Sequence, residues 1–466
     1  MNRPIPTLPF APGPTRADRD RGGAVLDLLL FGPNERSAET GEGPRHAARD
    51  IWLSSCEAVG LSARAARAAG EAHASVFGAG AARALPQWFD DLRRRLAGLF
   101  DAPLCQTVLA ASAAETAWLF DALARAASPR PIVHIAAAPP ERPDGGPPAR
   151  FFRLRDRYGL ALPMEEIDAE AARQVGEAVA SGADVALHGS DCSETGLSGP
   201  SRACIARMEQ DFRGRLTVLV DARQMRGERE TIAADLAAGR AILLSGATFA
   251  GCPKGAAALL LPPTFVGRIG AFELTGAFAA CSAALDWPPI LRERRRGDFA
   301  LLADLRLGLR WEAALAELES FFAIEAGLRG AIAAAFSREL RHHLAASPFL
   351  KAADFRCAGD GAPVLAPILT FDERGRPIKA EKLRRALASP TERAAPRAAR
   401  RRPVRVGAPV LIGARKALRL ALSAPLVNDV AERFAAVENF DEAFQPLADD
   451  LEEAFTLWGE LAHEGV

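Results

Sequence analysis

Cysteine is scarce in this chain of 466 residues, and its spacing is irregular. The seven cysteines are scattered and odd in number, and no two of them form a Cys-x-x-Cys pair. Zinc sites and the disulfide frameworks of secreted domains both depend on regular cysteine spacing. The sequence therefore predicts neither a metal site nor a disulfide framework.

Net charge and long apolar runs are also lacking. The 58 Lys and Arg balance the 58 Asp and Glu, and the pI is about 7.1. No overall basic field therefore favours nucleic acid or an anionic membrane surface. The sequence has no uninterrupted apolar run of about 18 residues, and its first residues lack a basic segment followed by an apolar stretch. We expect a cytoplasmic protein with no nucleic-acid or membrane partner.

Lysine is rare, and arginine carries almost all of the positive charge. The chain has five lysines, which are Lys254, Lys351, Lys379, Lys382 and Lys416. A lysine amine is the group that forms a Schiff base with a carbonyl compound. Very few positions are therefore available for that chemistry.

Strand and helix signals alternate along the first two thirds of the chain. Nearly half of the residues (49%) are hydrophobic, which is enough for a large core. Short apolar segments, separated by stretches long enough for a crossover helix, predict an α/β fold with a mainly parallel sheet. The predicted strands include residues 107–111, 132–136, 184–188, 216–220 and 241–244.

The pattern divides the chain into an arm and two domains. Residues 1–50, rich in Pro, Gly and Arg, predict an extended arm. Its apolar run Val25–Phe31 is too short for a core of its own, so we expect it to pack on its own subunit or on a partner. A large domain is predicted at 51–290, and a linking helical region and a small α+β domain at 291–466. Within the latter, residues 388–403 predict a solvated loop or an anion-binding patch.

The most specific pattern is the segment LLSGATFAGCPKG, at Leu243–Gly255. It resembles the loop that carries the cofactor lysine in pyridoxal phosphate (PLP) enzymes of the aminotransferase class V and cysteine desulfurase superfamily. Aligned on Ser245 and Phe249, the lysine position falls on Thr248, and a hydroxyl cannot form an imine. Lys254 is the only lysine in this loop, and it lies six positions after Thr248, a span of up to roughly 20 Å. We expect Lys254 to be a surface or turn residue rather than a substitute.

Two further motifs agree with the resemblance in type and in order along the chain. Ser193-Glu194-Thr195-Gly196 resembles the family's loop before the cofactor aspartate, and Asp221-Ala222-Arg223-Gln224 resembles its Asp-x-x-Gln. In the family the aspartate pairs with the pyridine nitrogen and the glutamine contacts the ring hydroxyl. The resemblance implies the PLP-dependent transferase fold type I, with a mainly parallel seven-stranded sheet. His188, just before these motifs, is expected either to have a role there or to be a polar strand-end residue with Asp191 and Ser193 as partners.

The turn that binds the cofactor phosphate in the family is altered here. The corresponding residues are Ser112, Ala113, Ala114 and Glu115, where the family has a Ser-Gly-Thr type of turn. Ala113 adds a Cβ where glycine allows close approach of the backbone, and Ala114 offers no hydroxyl. Ser112 and Glu115 also fit an ordinary helix cap. If PLP binds, the resemblance assigns its contacts to Ser112, Ala113, Thr195, Asp221, Gln224 and Ser245.

Three hypotheses follow for function. The first is a pseudoenzyme that keeps the PLP-enzyme scaffold for ligand or partner binding, with PLP noncovalent or absent. The second is an active PLP-dependent transferase or lyase that uses Lys254, and the third is a reaction with noncovalent pyridoxamine phosphate or another ligand. Cys357 is expected to be structural or incidental rather than a persulfide acceptor. The resemblance also implies a homodimer, or a heterodimer with a related chain.

Overall fold

The computed structural model of the chain describes residues 29–30, 50–54, 61–76, 81–139, 147–226, 228–274, 282–355, 364–389 and 401–465. The strands are β1 (Ile51–Leu53), β2 (Gln106–Ala110), β3 (Ile132–Ala137), β4 (Arg150–Phe152), β5 (Asp184–Ser190), β6 (Leu216–Asp221), β7 (Ala241–Ser245), β8 (Ala257–Leu261), β9 (Phe272–Glu273), β10 (Arg295–Arg296), β11 (Leu350–Ala352), β12 (Leu365–Thr370), β13 (Val404–Ile412) and β14 (Arg415–Ala421). The α-helices are α1 (Ala63–Val76), α2 (Ala81–Gly98), α3 (Ala113–Ala126), α4 (Met164–Ala180), α5 (Arg202–Asp211), α6 (Arg229–Ala237), α7 (Pro263–Val266), α8 (Pro289–Arg292), α9 (Leu305–Ala323), α10 (Ala326–Ala346), α11 (Ala380–Ala388), α12 (Ala424–Val437) and α13 (Phe440–Glu464).

The larger sheet has seven strands in the order β2-β8-β7-β6-β5-β3-β4. Strands β3 to β7 run parallel to one another, and β8 is antiparallel to both of its neighbours. The strands in the middle of the sheet are almost wholly buried, as expected when helices cover both faces. The prediction of a mainly parallel α/β sheet is confirmed, and the five predicted strands each lie within one or two residues of an observed strand.

A second sheet of five strands forms the smaller unit, in the order β1-β13-β14-β12-β11. Its C-terminal strands are antiparallel, whereas β1 pairs in parallel with β13 through Ile51 and Val404. The strand that follows the predicted arm therefore belongs to the sheet of the C-terminal region. The predicted domain boundaries at residues 50 and 290 stay predictions.

The long helical region predicted near 299–346 consists of two helices. The axes of α9 and α10 differ by 102°, because Ile324 is extended and ends α9 while the Glu325 side chain caps the backbone of α10. In the described part of the chain, no single helix is long and apolar enough to cross a membrane, and α9 and α10 pass that test only as a bent pair.

One residue of the predicted arm is fixed on its own subunit. Leu30 is 1% exposed and belongs to the main hydrophobic core, and its carbonyl accepts a hydrogen bond of 2.7 Å from Arg310 Nε. Of the two packing alternatives for the apolar run, the structure shows the one within the subunit for this residue. Most of the arm lies outside the described residues.

Candidate functional site

The predicted motifs meet at the C-terminal edge of the larger sheet. Ser190, the last residue of β5, pairs with Asp221, the last residue of β6, and Asp221 pairs with Leu243 of β7. Ser245 ends β7 two residues further on. In an open parallel sheet this edge is where ligands bind, so the topology brings together the motifs that the sequence spreads over about sixty residues.

Asp221 already has a cationic partner within the chain. The residue is 8% exposed, and Oδ2 lies 3.0 Å from Arg223 Nε. Oδ1 accepts a hydrogen bond of 3.2 Å from the Arg223 backbone N–H. Burial raises the pKa of Asp221, although the Arg223 guanidinium partly offsets this. The carboxylate that the resemblance assigns to a pyridine nitrogen is thus engaged by Arg223.

The ion pair continues through Glu194 to the smaller sheet. Arg223 donates to Glu194 Oε1 at 3.0 Å, and Arg419 on β14 forms a short ion pair with Glu194 Oε2. Both arginine side chains are 5% exposed. Burial opposes the charge on Glu194, but the two guanidinium groups outweigh it and lower the pKa. Alternating charges therefore compensate one another across the boundary between the two sheets.

Thr248 is bound by hydrogen bonds to the chain itself. Its hydroxyl donates to the backbone carbonyl of Arg223 through a short hydrogen bond. Gly246 has a packing role, because a Cβ there would lie 2.6 Å from the Ala314 Cβ on α9. Ser245 Oγ accepts a bond of 3.3 Å from the Ala247 N–H. Lys254 is exposed, as expected for a surface residue.

Gln224 and Thr195, which are also predicted to contact the cofactor if PLP binds, differ in their surroundings. Gln224 is fully buried, and neither its amide oxygen nor its amide nitrogen has a hydrogen-bond partner among the described residues. Thr195 is buried and accepts from Arg155 Nε at 3.2 Å through its hydroxyl. Arg155 also binds the Thr195 carbonyl at 3.0 Å. Of these two residues, only Gln224 has side-chain hydrogen-bonding capacity left over.

The altered phosphate turn forms a helix cap that includes a carboxylate. Ser112 Oγ accepts a hydrogen bond of 3.0 Å from the Glu115 N–H at the start of α3, and Glu115 Oε2 accepts one of 2.7 Å from the Ala111 N–H. A carboxylate of the chain therefore occupies a backbone donor at this turn. Ala113 and Ala114 begin the helix beside it.

Two more carboxyl groups lie near the turn and act on each other electrostatically. Burial raises the pKa of Glu115, and the charge of Asp304 raises it further. Burial likewise raises the pKa of Asp286 to about 7, with contributions from Asp304 and Glu115. Oδ1 of Asp286 is buried with no hydrogen-bond partner in the described part of the chain. This surrounding is unfavourable for a dianionic phosphate.

His188 lies beside a second histidine. Its Nε2 lies 2.9 Å from Nδ1 of His134 on β3, a residue that sequence reasoning missed. Asp191 instead pairs with Arg202 at 2.7 Å, and Ser193 Oγ accepts from backbone N–H groups of its own loop. His134 follows three residues after Arg130-Pro131 in an apolar strand, and no local pattern marks it. Cys357 lies outside the described residues.

No protein-family model matches the chain, and no curated protein matches it. Solved structures match in fold. A cystine C–S lyase, C-DES, in complex with cysteine persulfide has a TM-score of 0.55 at 13% identity, covering 87% of this chain and 98% of its own. TDC of Oryza sativa with PLP and tryptamine gives 0.54 at 13% identity, with 98% and 90% covered. An aspartate aminotransferase of Thermus thermophilus gives 0.51 at 16% identity, with 87% and 98% covered. The chain has the PLP-dependent transferase fold type I, as predicted.

Proposed function

We propose that the chain is a degenerate homologue of PLP enzymes, a pseudoenzyme that holds no Schiff-base cofactor and acts by binding a ligand or a partner. The observation that carries this proposal is the ion pair between Asp221 and Arg223, with Oδ2 and Nε 3.0 Å apart. A carboxylate that stabilises a pyridinium needs to be available to the ring. Here the chain supplies the cation itself, and Glu194 holds that cation from the other side.

Two further features support the proposal. In the alignment, Thr248 stands at the position of the lysine. Its hydroxyl donates a hydrogen bond to the Arg223 carbonyl, which links Thr248 directly to Arg223. At the turn, Glu115 accepts from the Ala111 N–H, so a phosphate would meet a carboxylate. The residues present therefore do not fit a covalently linked PLP.

A second candidate is noncovalent binding of PLP, pyridoxamine phosphate or another polar ligand. The buried amide of Gln224, which has no partner among the described side chains and backbone groups, favours it. A buried amide without hydrogen bonds costs about 1–3 kcal/mol, and a ligand that met this need would recover that free energy. Covalent use of Lys254 has no comparable support, since that side chain is exposed.

Titration of the purified protein with PLP, followed by equilibrium dialysis, separates these candidates. The pseudoenzyme proposal predicts no saturable binding at micromolar PLP, and the Asp221→Asn variant should give the same binding result as wild type. Saturable binding that Asp221→Asn weakens would contradict the proposal, because it would place Asp221 on the ring nitrogen. Saturable binding that depends on Gln224 but not on Asp221 would instead favour the noncovalent candidate.

We also propose that the protein is cytoplasmic and dimeric, either with itself or with a related chain. In the family that the motifs resemble, the cofactor clefts lie at the subunit boundary, and a chain without the chemistry still supplies that surface. Sedimentation velocity of the full chain tests the homodimer. A monomer alone and also in the presence of a related active chain would contradict both forms of the proposal.

A further inference from the structure

A cavity of about 550 Å³ lies against the smaller sheet. Strands β11, β12, β13 and β14 all contribute to its lining, together with the turn after β12 and the turn that contains Tyr158. None of the motif residues at the edge of the larger sheet lines it. A cavity of this size accommodates a small organic molecule, so it is a second place in the protein where a ligand fits.

The turn at residues 156–160 forms one wall of the cavity and is fixed in place. Gly159 has a φ of +91°, and a Cβ there would lie 2.9 Å from the backbone nitrogen of Gly413. The turn therefore packs backbone against backbone on the turn that joins β13 to β14. Arg155 donates to the Gly159 carbonyl at 2.9 Å and to the Asp354 carbonyl at 2.6 Å. Because these contacts hold the wall on the sheet, the cavity is preformed.

Much of the lining is apolar. Leu369 on β12 packs against the small hydrophobic cluster that contains Ile412, and both side chains line the cavity together with the Phe371 ring. Two large side chains of the wall, Tyr158 and Leu160, are 69% and 59% exposed. A ligand that covered these surfaces would remove apolar area from water, which favours binding. The cavity therefore offers a surface for the apolar body of a ligand.

Two cationic side chains of the lining lie over the same aromatic ring. Lys351 Nζ is 5.5 Å from the centre of the Phe371 ring, and the guanidinium carbon of Arg415 is 5.7 Å from it. Both side chains are exposed, and neither forms an ion pair with a carboxylate in the described part of the chain. Since the two charges share one ring, they are close enough to act together on a single anionic group.

The carboxylates of the lining already have other partners. Asp372 accepts a hydrogen bond of 2.8 Å from Arg376 Nε, and Glu373 Oε1 lies 2.7 Å from His463 Nδ1. Asp354 Oδ2 accepts a hydrogen bond of 3.2 Å from a backbone N–H. Because the chain provides partners for the acids but not for the two cations over the ring, the charge left to be complemented in this cavity is positive.

We propose that this cavity binds a small organic anion, which carries a carboxylate or phosphate group on an apolar body. The anionic group contacts Lys351 and Arg415, and the apolar body lies against Leu369 and Tyr158. The proposal goes beyond the pseudoenzyme proposal, because the cavity shares no residue with the motifs of the larger sheet. Failure of either proposal therefore leaves the other standing.

Isothermal titration calorimetry of the full-length protein tests the ligand class with two anionic probes, benzoate and phenyl phosphate. At least one of them should bind saturably with a Kd of roughly 1 mM, and the tighter one identifies the anionic group. The neutral counterparts, benzamide and phenol, should bind at least about tenfold more weakly, and so should inorganic phosphate, which lacks an apolar body. No saturation by either anion, or equal binding of a neutral counterpart or of inorganic phosphate, would overturn the proposal.

Substitution of the two cations tests where the anion binds. Lys351→Gln and Arg415→Gln should each raise the Kd of the tighter probe about fivefold, and the double variant should raise it at least about tenfold. Lys382→Gln is the matched control, because Lys382 is an exposed lysine on α11 outside the cavity, and it should leave the Kd unchanged. All three side chains are exposed, so the unfolding midpoints should stay at the wild-type value. A wild-type Kd in the double variant, or an equal loss in Lys382→Gln, would refute the site.

Discussion

Two parts of the same sheet edge differ in whether the chain itself provides partners for their polar groups. On the first part, which we call the closed side, the chain itself supplies partners or like charges to the groups that a cofactor would need. The closed side consists of Asp221, Arg223, Glu194, Arg419, Thr248, Glu115, Asp286 and Asp304. On the second part, the histidine side, formed by Asp121, His134, His188 and Ser190, hydrogen bonds join the first three side chains, and the Ser190 hydroxyl is buried with no hydrogen-bond partner among the described residues. The difference teaches that polar groups at one edge of a sheet can be satisfied by the chain in one part and left with hydrogen-bonding capacity in another.

The largest expected effect concerns Asp286 on the closed side. Its pKa is raised from 3.8 to about 7 by burial, so the folded protein prefers the neutral acid. That contribution to stability is complete below about pH 4 and is lost as the pH rises through about 7. Asp286→Asn mimics the neutral form and should raise the free energy of unfolding at pH 7 by on the order of 4 kcal/mol relative to wild type.

Urea denaturation at pH 4 and pH 7 measures this difference. The gain from Asp286→Asn should shrink towards zero at pH 4, while the matched change Asp91→Asn, at an exposed helical position, should give no such pH dependence. An equal effect of Asp286→Asn at both pH values would mean that its carboxyl is not neutralised on folding.

A smaller effect, and one of opposite sign, is the loss of stability expected from Glu194→Gln. This change removes the ion pair of Glu194 with Arg419, whose side chain is 5% exposed, while Arg223 keeps Asp221. Removing one partner of a buried pair costs about 3 kcal/mol. Glu432→Gln is the matched control, because Glu432 is 65% exposed in its pair with Arg64 and should cost about 0.5 kcal/mol. Equal losses in the two variants, measured by chemical denaturation, would show that the Glu194 network is not structural.

A lysine placed at position 248 should increase PLP binding only when Arg223 is also removed from the closed side. Thr248→Lys alone should not form a visible aldimine band with PLP, since Arg223 still occupies Asp221. Thr248→Lys combined with Arg223→Ala should bind PLP about tenfold more tightly than Thr248→Lys alone, which corresponds to about 1.4 kcal/mol. Absorbance titration compares the two variants. A strong band in the single variant would show that Arg223 does not block the site.

The smallest expected effect is that of Lys254→Met. Because Lys254 is exposed, the change should alter neither the unfolding midpoint nor the response to PLP by more than experimental error. Any loss of PLP binding in this variant would favour the hypothesis of an active enzyme that uses Lys254.

The fold was predictable because its signals are local and repeated. Buried parallel strands read as short apolar runs, and β5, β6 and β7 differ from their predicted ranges by one or two residues. The bend between α9 and α10 was missed, because Ile324 and Glu325 interrupt a helical pattern without Pro or Gly. The pairing of β1 with β13 joins residues about 350 positions apart, and local patterns do not encode such contacts.

The site was predictable only in part. Thr248, Asp221 and Gln224 were predicted as site residues because a short motif marks each of them, and their roles stay predictions. Arg223 stands inside one of those motifs, yet its ion pairs depend on Glu194 and on Arg419 from another sheet. His134 and Asp121 belong to a strand and a helix whose apolar patterns reveal only packing. His134 comes close to His188 because β3 pairs with β5, and Asp121 reaches His134 from α3; only the three-dimensional structure provides both contacts.

Borohydride reduction of the full-length protein in the presence of excess PLP, followed by peptide mass mapping, tests most directly whether the closed side rejects the cofactor. We predict that no pyridoxyl adduct forms within the peptide that contains Thr248 and Lys254, with an active fold type I enzyme as the positive control. A stoichiometric adduct on Lys254 would contradict the central claim, because it would show that this chain has moved its Schiff-base lysine rather than lost it.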